Sequence, residues 1–225
     1  MQNIISGLKV NVSPMIYVKD PETSDLGKKI IEHSIDLIDE IGFDNFTFKK
    51  LGERIGSNES SIYRYFEKKH KLLLYLSSWY WGWIEFKLIL STNNMQNPVE
   101  KLTKAIEIVT EEINIDNNHP HINEIKLHQI VVCEFSKSYL TKEVDHENKN
   151  GYFLIYKRVI NSIIGMAEEV NPNYPFMKSL VSLVVEGSLH QHFLKNHFKT
   201  ITNCSENVTP TDFFTDLMLK QLQTS

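Results

Sequence analysis

Only two cysteines, Cys133 and Cys204, occur in 225 residues, so no disulfide framework holds this chain and a reduced cytoplasm is its expected compartment. The opening MQNIISGLKV has no basic segment ahead of a long apolar core, which excludes the pattern of a secretory signal. Long apolar runs are missing too. The most hydrophobic one, Leu72 to Ile84, is too short to cross a bilayer and is closed off by Lys71 and Glu85, so no membrane span is expected. Positive charge is not in excess either: a net charge of −4 argues against a protein that coats polyanions, and any nucleic-acid contact has to be confined to one patch. Strand alternation, internal repeats and low-complexity tracts do not occur. What remains is 41% apolar content, ample for a globular core, with helical spacing throughout. The expected fold class is all-α.

The means of catalysis are equally scarce. There is no phosphate-cradling glycine loop, nucleophile elbow or dinucleotide fingerprint. The acid pairs Glu111-Glu112 and Glu168-Glu169 are adjacent on helices, so they splay apart and read as solvated faces. His119 and His121 are two apart, and His190, His192 and His197 lack the i, i+4 pairing of a zinc site. His128 and Cys133 lie five apart and turn away from one another. No catalytic residue, metal or cofactor is expected, and the chain does not read as an enzyme.

The informative stretch is Thr47 to Leu72, TFKKLGERIGSNESSIYRYFEKKHKL. Leu51 and Ile55 are the apolar positions of a first short helix, with Thr47 as its N-cap and Gly56 ending it in the left-handed conformation. Asn58 is a second N-cap, opening a helix that buries Ile62 and Phe66 and points Ser60, Ser61, Arg64 and Tyr65 elsewhere. Two short helices with a glycine turn form the skeleton of a helix-turn-helix. Lys49, Lys50, Arg54, Arg64, Lys68, Lys69 and Lys71 against Glu53, Glu59 and Glu67 make the segment +4 within an acidic chain. Such charge releases counterions from phosphate, and small polar side chains at the start of a recognition helix can enter a major groove. On charge alone, a solvated helix face is the competing explanation.

The spacing of Gly56, Asn58 to Ser61, Ile62-Tyr63-Arg64-Tyr65-Phe66, Lys69 and Leu72 resembles the DNA-binding signature of the tetracycline-repressor-like (TetR) family of transcription regulators, over about residues 26 to 76. The resemblance implies that Thr47, Asn58, Glu59, Ser60, Ser61, Tyr63, Tyr65 and Lys69 correspond to positions that touch DNA, mostly phosphate. Lys49 and Arg64 join this set from the local charge. Two residues depart from the pattern. Tyr65 stands where histidine is usual, though a tyrosine can still donate to phosphate. Glu59 stands where small or basic residues are common; it could accept from a cytosine amino group or favour the helix N-terminus.

Around this stretch the chain divides into a flexible arm at 1–19, a helix-turn-helix domain at 20–70 and a helical ligand-binding and dimerisation domain at 71–225. The arm shows no helical period. Asp20-Pro21-Glu22 reads as a helix start, followed by Leu26, Ile30, Leu37, Ile38 and Ile41 on one face and Gly42 at the end. A long helix from Lys68 to about Ser91 carries Trp79, Trp81 and Trp83, which either pack a joint or wall a pocket. Further helices are expected at Val99 to Ile115, Ile122 to Leu140, Lys149 to Val170, Tyr174 to His197 and Thr211 to Leu222. Breaks fall at Asn117-Asn118-His119-Pro120, Thr141 to Asn148, Asn171-Pro172 and Thr200 to Pro210.

The resemblance further implies a pocket in the body whose ligand, by moving the long helix, alters the spacing of two DNA-binding heads. Trp83, Phe86, His128, Tyr152 and Tyr156 are the candidate lining, and their character favours a small apolar or aromatic effector. The last two helices are apolar on more than one side, so one flank needs a partner. The resemblance makes that partner a second copy of the chain, joined in a four-helix bundle through Leu180, Val184, Gly187, Ser188, Phe213, Phe214 and Leu217. The expected function is thus a homodimeric, ligand-released repressor of a near-palindromic operator on double-stranded DNA, with no membrane partner. The competing expectation is a helical interaction module with a degenerate head, for which Glu59 and the acidic balance speak. Joint exposure of Tyr63, Arg64, Tyr65 and Lys69 is the feature that separates them.

Overall fold

The computed structural model describes residues 10–114 and 119–223, and among these every regular element is helical. After a 3₁₀ turn at Pro21–Thr23 come α1 (Asp25–Asn45), α2 (Phe48–Ile55), α3 (Glu59–Tyr63), α4 (Lys69–Thr92) and α5 (Pro98–Thr110). They are followed by α6 (Glu124–Tyr139), α7 (Val144–Lys149), α8 (Leu154–Val170), α9 (Met177–His197) and α10 (Pro210–Gln223). None of these helices is long and apolar enough to cross a membrane. The chain is all-α, a helix-turn-helix region followed by a helical body.

Two compact units emerge, one comprising Met1–Gly82 with Ile113–Leu154, the other Trp83–Glu112 with Ile155–Ser225. Helix α6 belongs with the head because it packs on α1, and the boundary falls inside α4.

In the first unit, Asp20 does cap Pro21, accepting the N–H of Glu22 at 2.9 Å, but the helix it opens is a single 3₁₀ turn. Ser24 is extended and becomes the true N-cap of α1, its Oγ accepting from the N–H of Gly27 at 3.2 Å. A Cβ at Gly27 would lie 2.2 Å from the carbonyl oxygen of Pro21, so the turn folds back against a bare Cα. Gly42 interrupts α1 at φ 74°, ψ 154°, yet a last turn continues to Asn45; the expected stop is a break.

The described part of the expected arm, residues 10–19, packs on the head. Val12 and Ile16 are buried, and the N–H of Val18 donates to the carbonyl of Tyr65 at 2.8 Å. Residues 1–9 lie outside the described residues. Lys71 holds the arm from the other side. It is buried, its Nζ donating to the carbonyl of Met15 at 2.8 Å and to the hydroxyl of Tyr152, with the ammonium 4.0 Å from the centre of the Tyr152 ring. This lysine therefore adds nothing to the surface charge of the head. Every residue of α4 from Lys71 to Trp81 is buried, as expected where a helix has no polar face. Trp79, Trp81 and Trp83 are all core residues.

In the second unit, α10 packs on α5 and α9, and α9 packs on α5. Asn97 caps α5 by accepting from Val99 N at 3.0 Å and Glu100 N at 3.3 Å, with Pro98 in the first turn, where no N–H is needed. The α5 C-terminus is tied by side chains of α9. Ser188 Oγ donates to the carbonyl of Val109 at 3.1 Å, and His192 Nε2 donates to that of Thr110 at 2.9 Å. The acid pairs expected to be solvated are partly engaged: Glu111 pairs with Lys87, Glu112 with Lys195 and Glu169 with Lys101.

Helix boundaries moved where caps decided them. Helix α5 ends at Thr110 rather than Ile115, which lies, like Asn117 and Asn118, outside the described residues. The polar stretch 141–148 contains most of α7, and α8 begins at Leu154 instead of Lys149 because Gly151, at φ 77°, turns the chain between them.

Candidate nucleic-acid interface

Thr47 Oγ1 accepts the N–H of Lys50 at 3.2 Å and starts α2. Gly56, at φ 64° and ψ 34°, takes the left-handed cap that ends it. Asn58 Oδ1 then accepts the N–H of Ser60 at 2.9 Å and starts α3. Phe46, Phe48, Leu51, Ile62 and Phe66 are buried beneath the two helices. The turn is closed by a residue the sequence reading passed over: a Cβ on Gly52 would sit 2.8 Å from the carbonyl oxygen of Ser57 and 3.3 Å from Glu59 N. Its signal was present, since a glycine inside a short helix costs about 1 kcal/mol relative to alanine and points to a close approach there.

On the outer side, Asn58, Ser60, Tyr63 and Arg64 are exposed and Glu59 and Ser61 half-buried; Thr47, Lys49, Lys50 and Lys68 are exposed nearby. Tyr63 is not loose. Its ring meets Phe48 edge-on at 5.0 Å, and its hydroxyl donates to Glu59 Oε1 at 3.4 Å.

Two side chains expected on this surface turn inward. Tyr65 is 3% exposed, its hydroxyl 2.8 Å from Ser24 Oγ and 3.4 Å from Lys19 Nζ. Lys69 is half-buried, and its ammonium donates to the carbonyls of Phe43, Asp44 and Phe46 at 3.0, 3.1 and 3.1 Å. It caps the end of α1, where a cation is favoured by the orphan carbonyls. Arg54 forms a bidentate pair with Glu40 at 2.6 and 2.7 Å, a bond that holds the Glu40 carboxyl below its ordinary pKa. Tyr63 and Arg64 are exposed together, whereas Tyr65 and Lys69 support them from behind.

Residues 30–76 match the family described as bacterial regulatory proteins, tetR family. The match lies on the helix-turn-helix region, less than half of the chain. The head of this chain is thus similar to the DNA-binding region of bacterial regulatory proteins. No curated protein matches the sequence. Among solved structures, the superantigen PfiT is similar at 17% identity and TM-score 0.59, covering 92% of this chain and 100% of its own. AibR, solved with isovaleryl coenzyme A and operator DNA, is similar at 15% identity and TM-score 0.54, covering 86% of this chain and 95% of its own. At these identities the likeness is one of fold.

The remaining expected site residues lie as follows. The five candidate ligand residues are not gathered in one unit. His128 and Tyr152 are buried in the first, His128 with its Nδ1 3.0 Å from the Tyr80 hydroxyl. Trp83, Phe86 and Tyr156 are in the second, where Tyr156 donates to Glu186 at 2.7 Å. A cleft of about 560 Å³ in the first unit is lined by Glu32, Asp36, His119, His121 and Asn123 with Pro120 and Ile122, and by none of the five. Of the expected dimer residues, Leu180, Val184, Ser188 and Phe214 are buried in their own chain. Gly187 has an internal reason as well: a Cβ there would lie 2.9 Å from Cζ of Phe214. Phe213 is exposed, Gly187 and Leu217 are half-buried, and Leu183 and Phe176 are exposed beside them.

Proposed function

We propose that this chain is a TetR-family repressor that binds a near-palindromic operator as a homodimer and leaves it when a small apolar or aromatic ligand binds. The observation that carries the DNA contact is the exposed set Asn58, Ser60, Tyr63 and Arg64 on α3 and its two caps, flanked by exposed Lys49 and Lys68. Amide, hydroxyl and guanidinium groups there suit base edges, and the lysines suit phosphate. Thr47, Glu59 and Ser61 complete the proposed surface, and Tyr65 and Lys69 serve it as supports.

The dimer reading is supported by unpartnered apolar side chains on one stripe of α9 and its neighbour: Leu183 is 56% exposed and Phe213 46%, with Gly187 and Leu217 at the same face. A two-fold pair of heads reads a two-fold sequence. For the ligand, Trp83, Phe86 and Tyr156 of the second unit supply aromatic surface. AibR, of similar fold, was solved with an acyl thioester and operator DNA, which makes isovaleryl coenzyme A a reasonable first probe for this chain.

Selection of bound duplexes from a random pool, followed by a salt titration, tests the reading. A recovered two-fold site with Arg64→Ala weakening all sequences and lowering the salt slope by about 1 supports it. A wild-type protein that enriches no site, or that runs as a monomer in light scattering at micromolar concentration, sinks it. Release of the recovered duplex by isovaleryl coenzyme A, or its absence, decides whether the ligand resembles that of AibR.

A further inference from the structure

The last turn of α1 is gripped from both sides. The break at Gly42 leaves backbone groups without intrahelical partners, as any helix end does. The first freed N–H, that of Phe43, donates to Oε1 of Glu134 at 3.3 Å, 91 residues along the chain. Glu134 lies on α6, is 8% exposed, and is joined at 2.9 Å by Lys137, which also donates to Asp44 at 2.8 Å. On the carbonyl side, Lys69 takes the oxygens of Phe43, Asp44 and Phe46. Residues 43–46 thus sit between an acceptor for their N–H and a donor for their C=O. They lead directly into Thr47, the N-cap of α2.

We propose that Glu134 is a positioning residue for DNA binding: from a helix outside the helix-turn-helix, its carboxylate sets the angle at which residues 43–46 deliver α2 and α3. This rests on the DNA-binding reading above. The physical reason lies in the break. With φ and ψ at Gly42 free of the usual side-chain restriction, the last turn is tied back to the rest of α1 by an exposed side-chain bond, Asn45 Nδ2 donating to the carbonyl of Ile41 at 3.0 Å, which water can replace. The buried and half-buried bonds to it come from Glu134 and Lys69. Removing the carboxylate leaves a buried N–H unsatisfied, and the segment regains a partner by swinging toward water. A swung head still meets phosphate, but its side chains miss the base edges that specify sequence.

The test uses the full-length protein with Glu134→Ala and Glu134→Gln, measured well below the melting temperature against the selected operator and a random duplex. Glu134→Ala is expected to lose about tenfold or more in operator affinity, with random-duplex binding and its salt slope unchanged. Glu134→Gln restores most of the loss, since its amide oxygen accepts the same N–H. The Phe43 amide resonance shifts in the alanine variant and stays near its wild-type position in the glutamine variant. A lowered melting temperature with an unchanged ratio of operator to random affinity makes Glu134 merely structural and overturns the proposal. If the alanine variant does not fold, Glu134→Leu, which keeps the volume but offers the Phe43 N–H no acceptor, decides by the same ratio. A wild-type protein that selects no operator defeats the DNA-binding reading first, and that arm is read without any variant.

Discussion

Gly52 and Gly187 each stand where another element comes too close for a Cβ, but the two crossings are made of different material. At Gly52 the obstacle is main chain, the carbonyl oxygen of Ser57 at 2.8 Å. At Gly187 it is the far edge of the Phe214 ring, with Cζ at 2.9 Å and Cε1 at 3.2 Å. Main chain pinned by caps on both sides has nowhere to go, whereas a ring can tilt at modest cost. The helix-turn-helix is therefore shaped by backbone and turn chemistry, and the α9–α10 crossing by side-chain packing.

The largest expected effect sharpens that contrast. Gly52→Ala should destabilise the protein by about 3 kcal/mol, at the upper end for overpacking, and abolish operator binding; thermal denaturation and a gel-shift titration read both. Lys69→Met comes next. Losing a donor shared by three carbonyls at the end of α1 should cost about 1–2 kcal/mol and weaken operator binding, because the support under α2 is loosened; a chemical denaturation curve measures it. Gly187→Ala should cost only about 1 kcal/mol, and Phe214→Leu in the same background should relieve part of it. An equal loss at positions 52 and 187 would break the comparison.

The smallest effect is one of pH and belongs to the second unit. Burial pushes the His192 imidazole below its ordinary pKa, partly opposed by its bond to the Thr110 carbonyl. The folded state thus prefers the neutral ring, and the unfolded state takes up the proton first, near the usual value of about 6.5. The stabilisation is complete above about pH 6.5 and is lost as pH falls through that value toward the lower folded one. Melting temperatures between about pH 8 and pH 5 should fall more in the wild type than in His192→Gln. A steeper acid loss in the variant would refute the assignment.

The same contrast accounts for what could be read in advance. Thr47, Gly56 and Asn58 do what their residue types dictate, because capping and left-handed turns are decided within four or five residues. Tyr65 and Lys69 were read as surface residues because the spacing of α3 shows only which way a side chain leaves its own helix. It does not show that Ser24 waits for the phenol, or the end of α1 for the ammonium. The second unit was less legible still. Leu180, Val184 and Phe214 were assigned to a partner because α9 and α10 carry more apolar surface than one flank needs; the side chains that remain outside are Leu183, Phe213 and Phe176. Periodicity reports how much apolar surface a helix has, and the neighbours decide which part is covered.

By itself the sequence determined an all-helical chain, the two-helix head with its caps and left-handed glycine, and the family signature between Gly56 and Leu72, all products of short-range steric and hydrogen-bond rules. Only the tertiary structure decided that residues 10–19 are packed, that α6 joins the head, that Arg54 is spent on Glu40, and that Glu134 and Lys69 hold the broken end of α1. Each of these unites groups from 14 to 93 residues apart. At such separations no local rule operates, and the partner is whatever side chain the packing of the core brings within a hydrogen bond's length.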